Sequence, residues 1–160
     1  MRDGFIKVAA MTPAVRVADI EYNVAACAEA VRSAAGAQVI VLPELAITSY
    51  TCEDLFWQDA LLRAAEEGLA RFAELTADTD ALVLVGVPVR VASKLYNCAA
   101  ALCAGELLGL VPKRNIPTYG EFYEGRRFSV GPEDVTLVSF AGYDEVPFGA
   151  SQLFECDTVP

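Results

Sequence analysis

Residues 39–50, VIVLPELAITSY, constrain the fold more than any other stretch of this 160-residue sequence. Val39, Ile40, Val41 and Leu42 form an unbroken apolar run, the pattern of a strand covered on both faces. Pro43 has no N–H for a ladder and restricts Leu42 to extended geometry, so the strand ends there. Glu44 then stands at the strand's carboxyl end, with apolar Leu45, Ala46 and Ile47 beyond it. A carboxylate in such surroundings needs a partner or a raised pKa. Two readings follow from the local pattern: Glu44 marks a functional site, or it caps the next helix or forms a surface salt bridge.

The flanking segments set the fold class. Residues 5–10 read as a first strand and 11–16 as a connection, and Asp19 is a suitable N-cap for a helix from 20 to about 35. Ile20, Val24, Cys27, Ala28 and Val31 recur at helical spacing, with Gly36 ending the run. Cys27 is therefore a core residue. Strand, helix, strand in that order predicts a parallel sheet at this point and an α/β fold. After a connection through Thr51 and Cys52, a second helix spans 55–76, weakened at Gly68 by about 1 kcal/mol. A buried strand follows at 81–89, broken only by Gly86 and Pro88. Strands at 95–103 and 106–111 are joined by Ala104-Gly105, a hairpin signal. Two short strands, 135–140 and 152–156, flank a turn-like stretch at 142–149.

A second polar concentration lies at 113–127, KRNIPTYGEFYEGRR. Its Pro, Gly and charge forbid regular structure, and a loop this long in a compact domain is usually functional. The plain alternative is a solvated loop with a few anchoring aromatics. Lys113 follows a strand and Pro112 as Glu44 follows a strand and Pro43, so both residues project from the same kind of place. Glu121 lies further along, with Tyr119, Phe122 and Tyr123 interleaved.

Composition removes several classes of function. A formal net charge of -10 opposes a general nucleic-acid role. No apolar run approaches the roughly 18 residues of a membrane span, and the first residues lack a signal peptide's apolar core, so the expected protein is soluble and cytoplasmic, with no membrane partner. Hydrophobic residues at 54% and a mean hydropathy of +0.36 exclude disorder. Five cysteines without metal-type spacing and no histidine argue against a disulfide framework and against a metal site. Any nucleophile must therefore be activated without histidine.

The residues now carry a resemblance. LPEL at 42–45, Tyr96-Asn97 inside a strand, and PKRNIP at 112–117 followed by Glu121 resemble the nitrilase, or carbon-nitrogen hydrolase, superfamily. More narrowly, ELAITSYTCEDLFWQ at 44–58 and PTYGEFYEGRRF at 117–128 resemble the N-terminal glutaminase domain of glutamine-dependent NAD synthetases. The resemblance implies a nitrilase-like α-β-β-α four-layer sandwich, with residues 1–160 as its incomplete N-terminal portion and a synthetase domain absent. It implies a catalytic set in which Glu44 is the general base, Lys113 the catalytic lysine and Glu121 the second glutamate. Tyr119 resembles the tyrosine of the glutamine pocket, and Tyr50 and Phe122 are assigned with it to substrate binding.

The implied function is hydrolysis of glutamine to supply ammonia for ATP-dependent amidation of deamido-NAD(+). The glutaminase step needs no cofactor; ATP and Mg belong to the synthetase domain, whose glycine-rich phosphate loop has no counterpart here. A homo-oligomer is implied for the intact protein. The remaining catalytic member, a cysteine at the end of a strand in a context like ICED, has no match. Cys52 precedes Lys113, Cys98 and Cys103 read as small core residues, and Cys156 has no activating surroundings. The expectation is a chain that stops before its nucleophile and is inactive alone. Other readings are an ω-amidase, carbamoylase or nitrilase of the same superfamily, and a non-catalytic binding or assembly module.

Overall fold

A computed structural model describes residues 5–156. Seven strands form one mixed sheet in the order β1-β2-β3-β4-β5-β7-β6. Strands β1 (Val8–Ala10), β2 (Val39–Val41) and β3 (Leu82–Val91) pair in parallel, as the strand-helix-strand reading requires. Strands β4 (Lys94–Cys103) and β5 (Glu106–Pro112) continue the sheet antiparallel. Helix α1 (Ile20–Ser33) begins at Asp19, whose carboxylate accepts the Tyr22 N–H at 3.2 Å. Helix α2 (Asp59–Leu75) begins four residues later than the sequence suggests, because residues 50–57 form a kinked 3-10 segment.

The core lies between the two helices and one face of the sheet. Val24, Cys27, Ala28 and Val31 of α1 and Ala65, Leu69, Phe72 and Ala73 of α2 pack on Ile40, Val83, Val85, Val87, Cys98 and Ala100. Register places the sheet residues together, since Val83 faces Leu102, Val85 faces Ala100 and Val87 faces Cys98. Alternation sends Val41, Leu84, Gly86, Ala99 and Val111 to the opposite face. Among the described residues only one face is covered by helices: Ile40 is buried whereas Val41 is exposed, which corrects the expectation of a β2 strand enclosed on both sides. The described residues supply one helical layer and one sheet of the α/β arrangement. No described helix is long and apolar enough to cross a membrane.

Three further corrections concern strands. Strand β3 runs through Gly86 and Pro88 without a break and turns into β4 at Ala92, which has φ 52. Residues 142–149 are largely a strand, β7 (Tyr143–Phe148), paired with β6 (Thr136–Phe140) across a turn in which Ala141 and Gly142 have φ 56 and 82. The polar Asp144 and Glu145 disguise it, although Asp144 accepts the Ser139 hydroxyl across that hairpin. Residues 152–156 form no strand; Gln152 instead donates to the Leu110 and Gly149 carbonyls.

Gly86 explains how β2 delivers its carboxyl end to the site. The bend after β2 crosses directly over this residue, whose N–H donates to Pro43 O at 3.2 Å while its carbonyl accepts the Ile47 N–H at 3.2 Å. A Cβ here would collide with the Leu45 backbone nitrogen and lie 2.5 Å from Pro43 O. Backbone cannot yield as a side chain can. Gly86→Ala is therefore expected to destabilise the fold by about 2 kcal/mol or more, read as a lowered urea midpoint; an unchanged midpoint would show that the bend can lift away.

Candidate functional site

Two strand ends and one position inside a strand bring the polar residues together. Glu44 leaves the end of β2, Asn97 lies within β4, and Lys113 follows β5. The Lys113 N–H donates to the Asn97 carbonyl at 2.8 Å, locking the two strand positions side by side. The Asn97 side-chain amide in turn donates to Glu44 Oε1, which also accepts Lys113 Nζ at 2.6 Å. Leu45, directly after Glu44, has φ 50, a strained conformation for a branched residue that the surrounding bend enforces. Buried Asn23 of α1 stitches that bend down by donating to the Ile47 and Arg16 carbonyls.

A second carboxylate completes the cluster, and it is not Glu121. Lys113 Nζ donates to both oxygens of Glu124 at 3.0 Å. The side chain of Glu124 is 5% exposed, and its Oε1 also accepts the Tyr50 hydroxyl at 2.9 Å. Glu121 is exposed and lies on the rim of the neighbouring cleft. Physically, the chain bulges outward after Lys113 and returns only at the single 3-10 turn Glu124–Arg126, so the returning glutamate meets the ammonium. Tyr119 stands 72% exposed with Phe122 edge-on to it at 5.8 Å, away from the Glu44–Lys113 pair. Of the residues singled out in the sequence, the structure joins Glu44, Lys113 and Tyr50, and leaves Glu121, Tyr119 and Phe122 outside that hydrogen-bonded set.

Glu44 keeps 41% of its side chain exposed, so the desolvation expected of it is absent among the described residues. Its environment is a cleft of about 360 Å³ on the open sheet face, floored by Leu84, Gly86, Ala99 and Val111. Burial alone would lower the Lys113 pKa, but the hydrogen bonds and charges of Glu44 and Glu124 outweigh it and raise the value above the ordinary lysine range. Burial, the hydrogen bond to Glu124 and the nearby carboxylates push the Tyr50 phenol up to about 12. The site thus holds a permanent cation between two acceptors, one of them accessible to a ligand.

No described cysteine enters this cluster. Cys52 donates to the Thr48 carbonyl at 3.0 Å, and burial raises its pKa. Burial pushes Cys27 up to about 11 and Cys98 higher still. Cys98 shares a face with Val87, toward the core, so its thiol points away from Glu44. Cys156 is exposed and adds to the raised pKa of Cys103, six positions along β4 from Asn97. That places it about 20 Å of strand away from the site.

The sequence profile of carbon-nitrogen hydrolases matches residues 7–151. The chain belongs to the carbon-nitrogen hydrolase family. It is 36% identical over 159 residues to the glutamine-dependent NAD(+) synthetase of Mycobacterium tuberculosis, covering 98% of this chain and 23% of that protein. The glutamine-dependent NAD(+) synthetase of Thermotoga maritima is 37% identical over 117 residues, or 72% of this chain and 20% of its own length. In three dimensions the chain is similar to a crystal structure of a glutamine-dependent NAD(+) synthetase from Cytophaga hutchinsonii, with a TM-score of 0.83 and 32% identity over 90% of this chain and 25% of that one. The carbon-nitrogen hydrolase fold is therefore a nitrilase-like α/β fold in this chain, which spans about a quarter of the length of these relatives.

Sequence reasoning gives no site role to Glu124, and it names Asn97 only as part of a motif that carries the resemblance. A polar side chain inside the apolar strand LYNCAAAL was the available signal for Asn97, because a buried amide must find partners. Nothing local separates Glu124 from Glu121.

Two measurements check this carbon-nitrogen hydrolase site. Lys113→Met strands the buried Glu124 carboxylate and should lower stability by about 3 kcal/mol. The double variant Lys113→Met/Glu124→Leu should recover much of that loss; strict additivity of the two single effects would refute the pairing. Lys113 and Tyr50 both have folded-state pKa values above their unfolded ones, so their stabilisation is complete below about pH 10 and fades as pH rises, for Tyr50 through about 12. Tyr50→Phe should flatten the fall in melting temperature across that window, and an unaltered slope would exclude the phenol's contribution.

Proposed function

We propose that this chain is the amide-hydrolysing part of a glutamine-dependent NAD(+) synthetase. In this reading it cleaves the side-chain amide of glutamine and passes the ammonia to a synthetase domain, which amidates deamido-NAD(+) at the expense of ATP with Mg. The observation that carries the reading is the Lys113 ammonium, 2.6 Å from Glu44 and 3.0 Å from Glu124, at the mouth of an open cleft.

The chemistry explains the set. Thiol-mediated amide hydrolysis needs a base for the thiol proton, an acid to return a proton to departing ammonia, and a cation for the tetrahedral oxyanion. Glu44, accessible and oriented by the Asn97 amide, serves as base and then acid. Lys113 faces the oxyanion, and Glu124 holds the ammonium in place from the buried side. The reacting carbon first gains the sulfur, then loses the C–N bond as ammonia leaves; water opens the resulting thioester, again with Glu44 taking the proton. The thiol comes from a cysteine outside this cluster, so residues 1–160 alone turn over no glutamine; turnover abolished by Cys156→Ala would overturn that assignment.

Identity of 36% to glutamine-dependent NAD(+) synthetases supports glutamine over another small amide or nitrile as substrate. Tyr119 and Phe122, at the exposed end of the bulge, are proposed to close on it with Tyr50. A cytoplasmic, homo-oligomeric enzyme fits the same reading. The test is ammonia release from glutamine by the intact protein. Glu44→Gln should lower kcat/KM by a factor on the order of 100 or more, with Lys113→Met as severe. Retained glutamine turnover in Glu44→Gln would sink the proposal, and preference for an ω-amide, carbamoyl or nitrile substrate would replace glutamine with that class.

A further inference from the structure

Segment 50–57 and the returning turn at 124–128 meet along a second cleft of about 370 Å³, and three close contacts join them beside the 4.0 Å approach of Arg126 to Asp54. At one end the Tyr50 hydroxyl donates to Glu124. At the other, the Phe56 and Phe128 rings meet edge-on at 5.0 Å. Between them Arg127 Nη2 pairs with Glu53 and reaches Asp54 at 3.6 Å. We propose that Arg127 is a positioning residue, a latch that clamps segment 50–57 onto the 124–128 turn and so holds Glu124 against Lys113. This deepens the reading of the site given above and depends on it for its catalytic consequence.

Four features carry the inference. First, the Arg127 side chain is 11% exposed, so its guanidinium is fixed by its surroundings rather than waving in solvent. Its Nε is buried without an acceptor among the described residues, which leaves the terminal nitrogens to hold the guanidinium and makes the pair with Glu53 its anchor. Second, Glu53 has φ 50 and ψ -126, backbone that a residue with a side chain adopts only when its environment insists. The carboxylate's grip on Arg127 is the visible constraint. Third, the route from Arg127 to Glu124 is short and stiff, because the Arg127 and Phe128 N–H groups donate to the Glu124 carbonyl at 2.9 and 2.8 Å. Fourth, the seam carries Glu53, Asp54, Glu121 and Glu124, with Arg126 no nearer than 4.0 Å to Asp54. Lys113 offsets Glu124, so without Arg127 the exposed Glu53 and Asp54 would keep only Arg126 to offset their repulsion.

The latch thus acts through Glu124 on the ammonium, two steps from any reacting atom. A displacement of the order of 1 Å at such a distance still costs up to about 100-fold in rate. In the intact protein, Arg127→Met should lower kcat for ammonia release by roughly 10- to 100-fold while KM stays within about threefold. Arg127→Lys, which keeps a cation for Glu53 and Asp54, should restore most of it. Arg71→Met, which breaks an exposed helical ion pair with Glu74, is the control and should leave kcat unchanged.

Amide hydrogen exchange gives a readout independent of turnover. In Arg127→Met the amides of 50–57 and 124–128 should exchange faster together, with those of β3 unchanged. Unchanged kcat in Arg127→Met alongside a dead Glu44→Gln overturns the latch and leaves the site reading intact. Full activity in Glu44→Gln overturns the site reading, and exchange alone then decides the latch: faster exchange in both segments supports it, and no change or change in one segment refutes it.

Discussion

Everything at this site depends on one ammonium held by two carboxylates of unequal burial. Lys113 joins Glu124, which is sealed from solvent, to Glu44, which is not. A buried carboxylate is stable as an anion only while its cation is in place, so Lys113 is immobilised from the inside. The exposed carboxylate contributes little to stability by comparison. Two residues of the same type thereby meet one ammonium from opposite environments.

The scaffold makes that arrangement by stopping strands at the right places. Pro43 stands just past β2 and Pro112 is the last ladder position of β5, and each hands over to a charged residue at the open face of the sheet. Gly86 lets the bend that carries Glu44 lie flat on β3, and the Lys113–Asn97 backbone bond ties β5 to β4 at the same level. The cluster is therefore built on rigid strand ends, with strain at Leu45, Ser49 and Glu53 absorbed by the connection between them. The second wall of the site is softer, since segment 50–57 and the 113–128 loop are held to each other by side chains.

A member of the carbon-nitrogen hydrolase family, the chain has Glu44 and Lys113 in contact and its open cleft on the uncovered sheet face. No described cysteine joins this pair. The thiols of Cys27, Cys52, Cys98 and Cys103 are raised by burial, a protonated and inert state that suits packing. In the proposed function this pair works with a thiol from outside the cluster, so that reading concerns the intact protein.

The sequence by itself determined the α/β class, both helices, the parallel opening of the sheet and the two charged strand ends. Those properties are written in short-range terms: apolar period, the Asp19 cap, and prolines after the strands. It did not determine the partner of Lys113. Glu121 and Glu124 are three residues apart in an irregular loop, and only the point at which that loop turns back onto Tyr50 and Arg127 selects between them. Nor did it reveal β7, whose charged residues read locally as a turn and whose identity comes from its ladder with β6. Glu44 was legible as a site residue, but not its exposure, because the covering of a strand end is set by which layers pack there. Short-range chemistry chose the residues; long-range packing chose which of them meet.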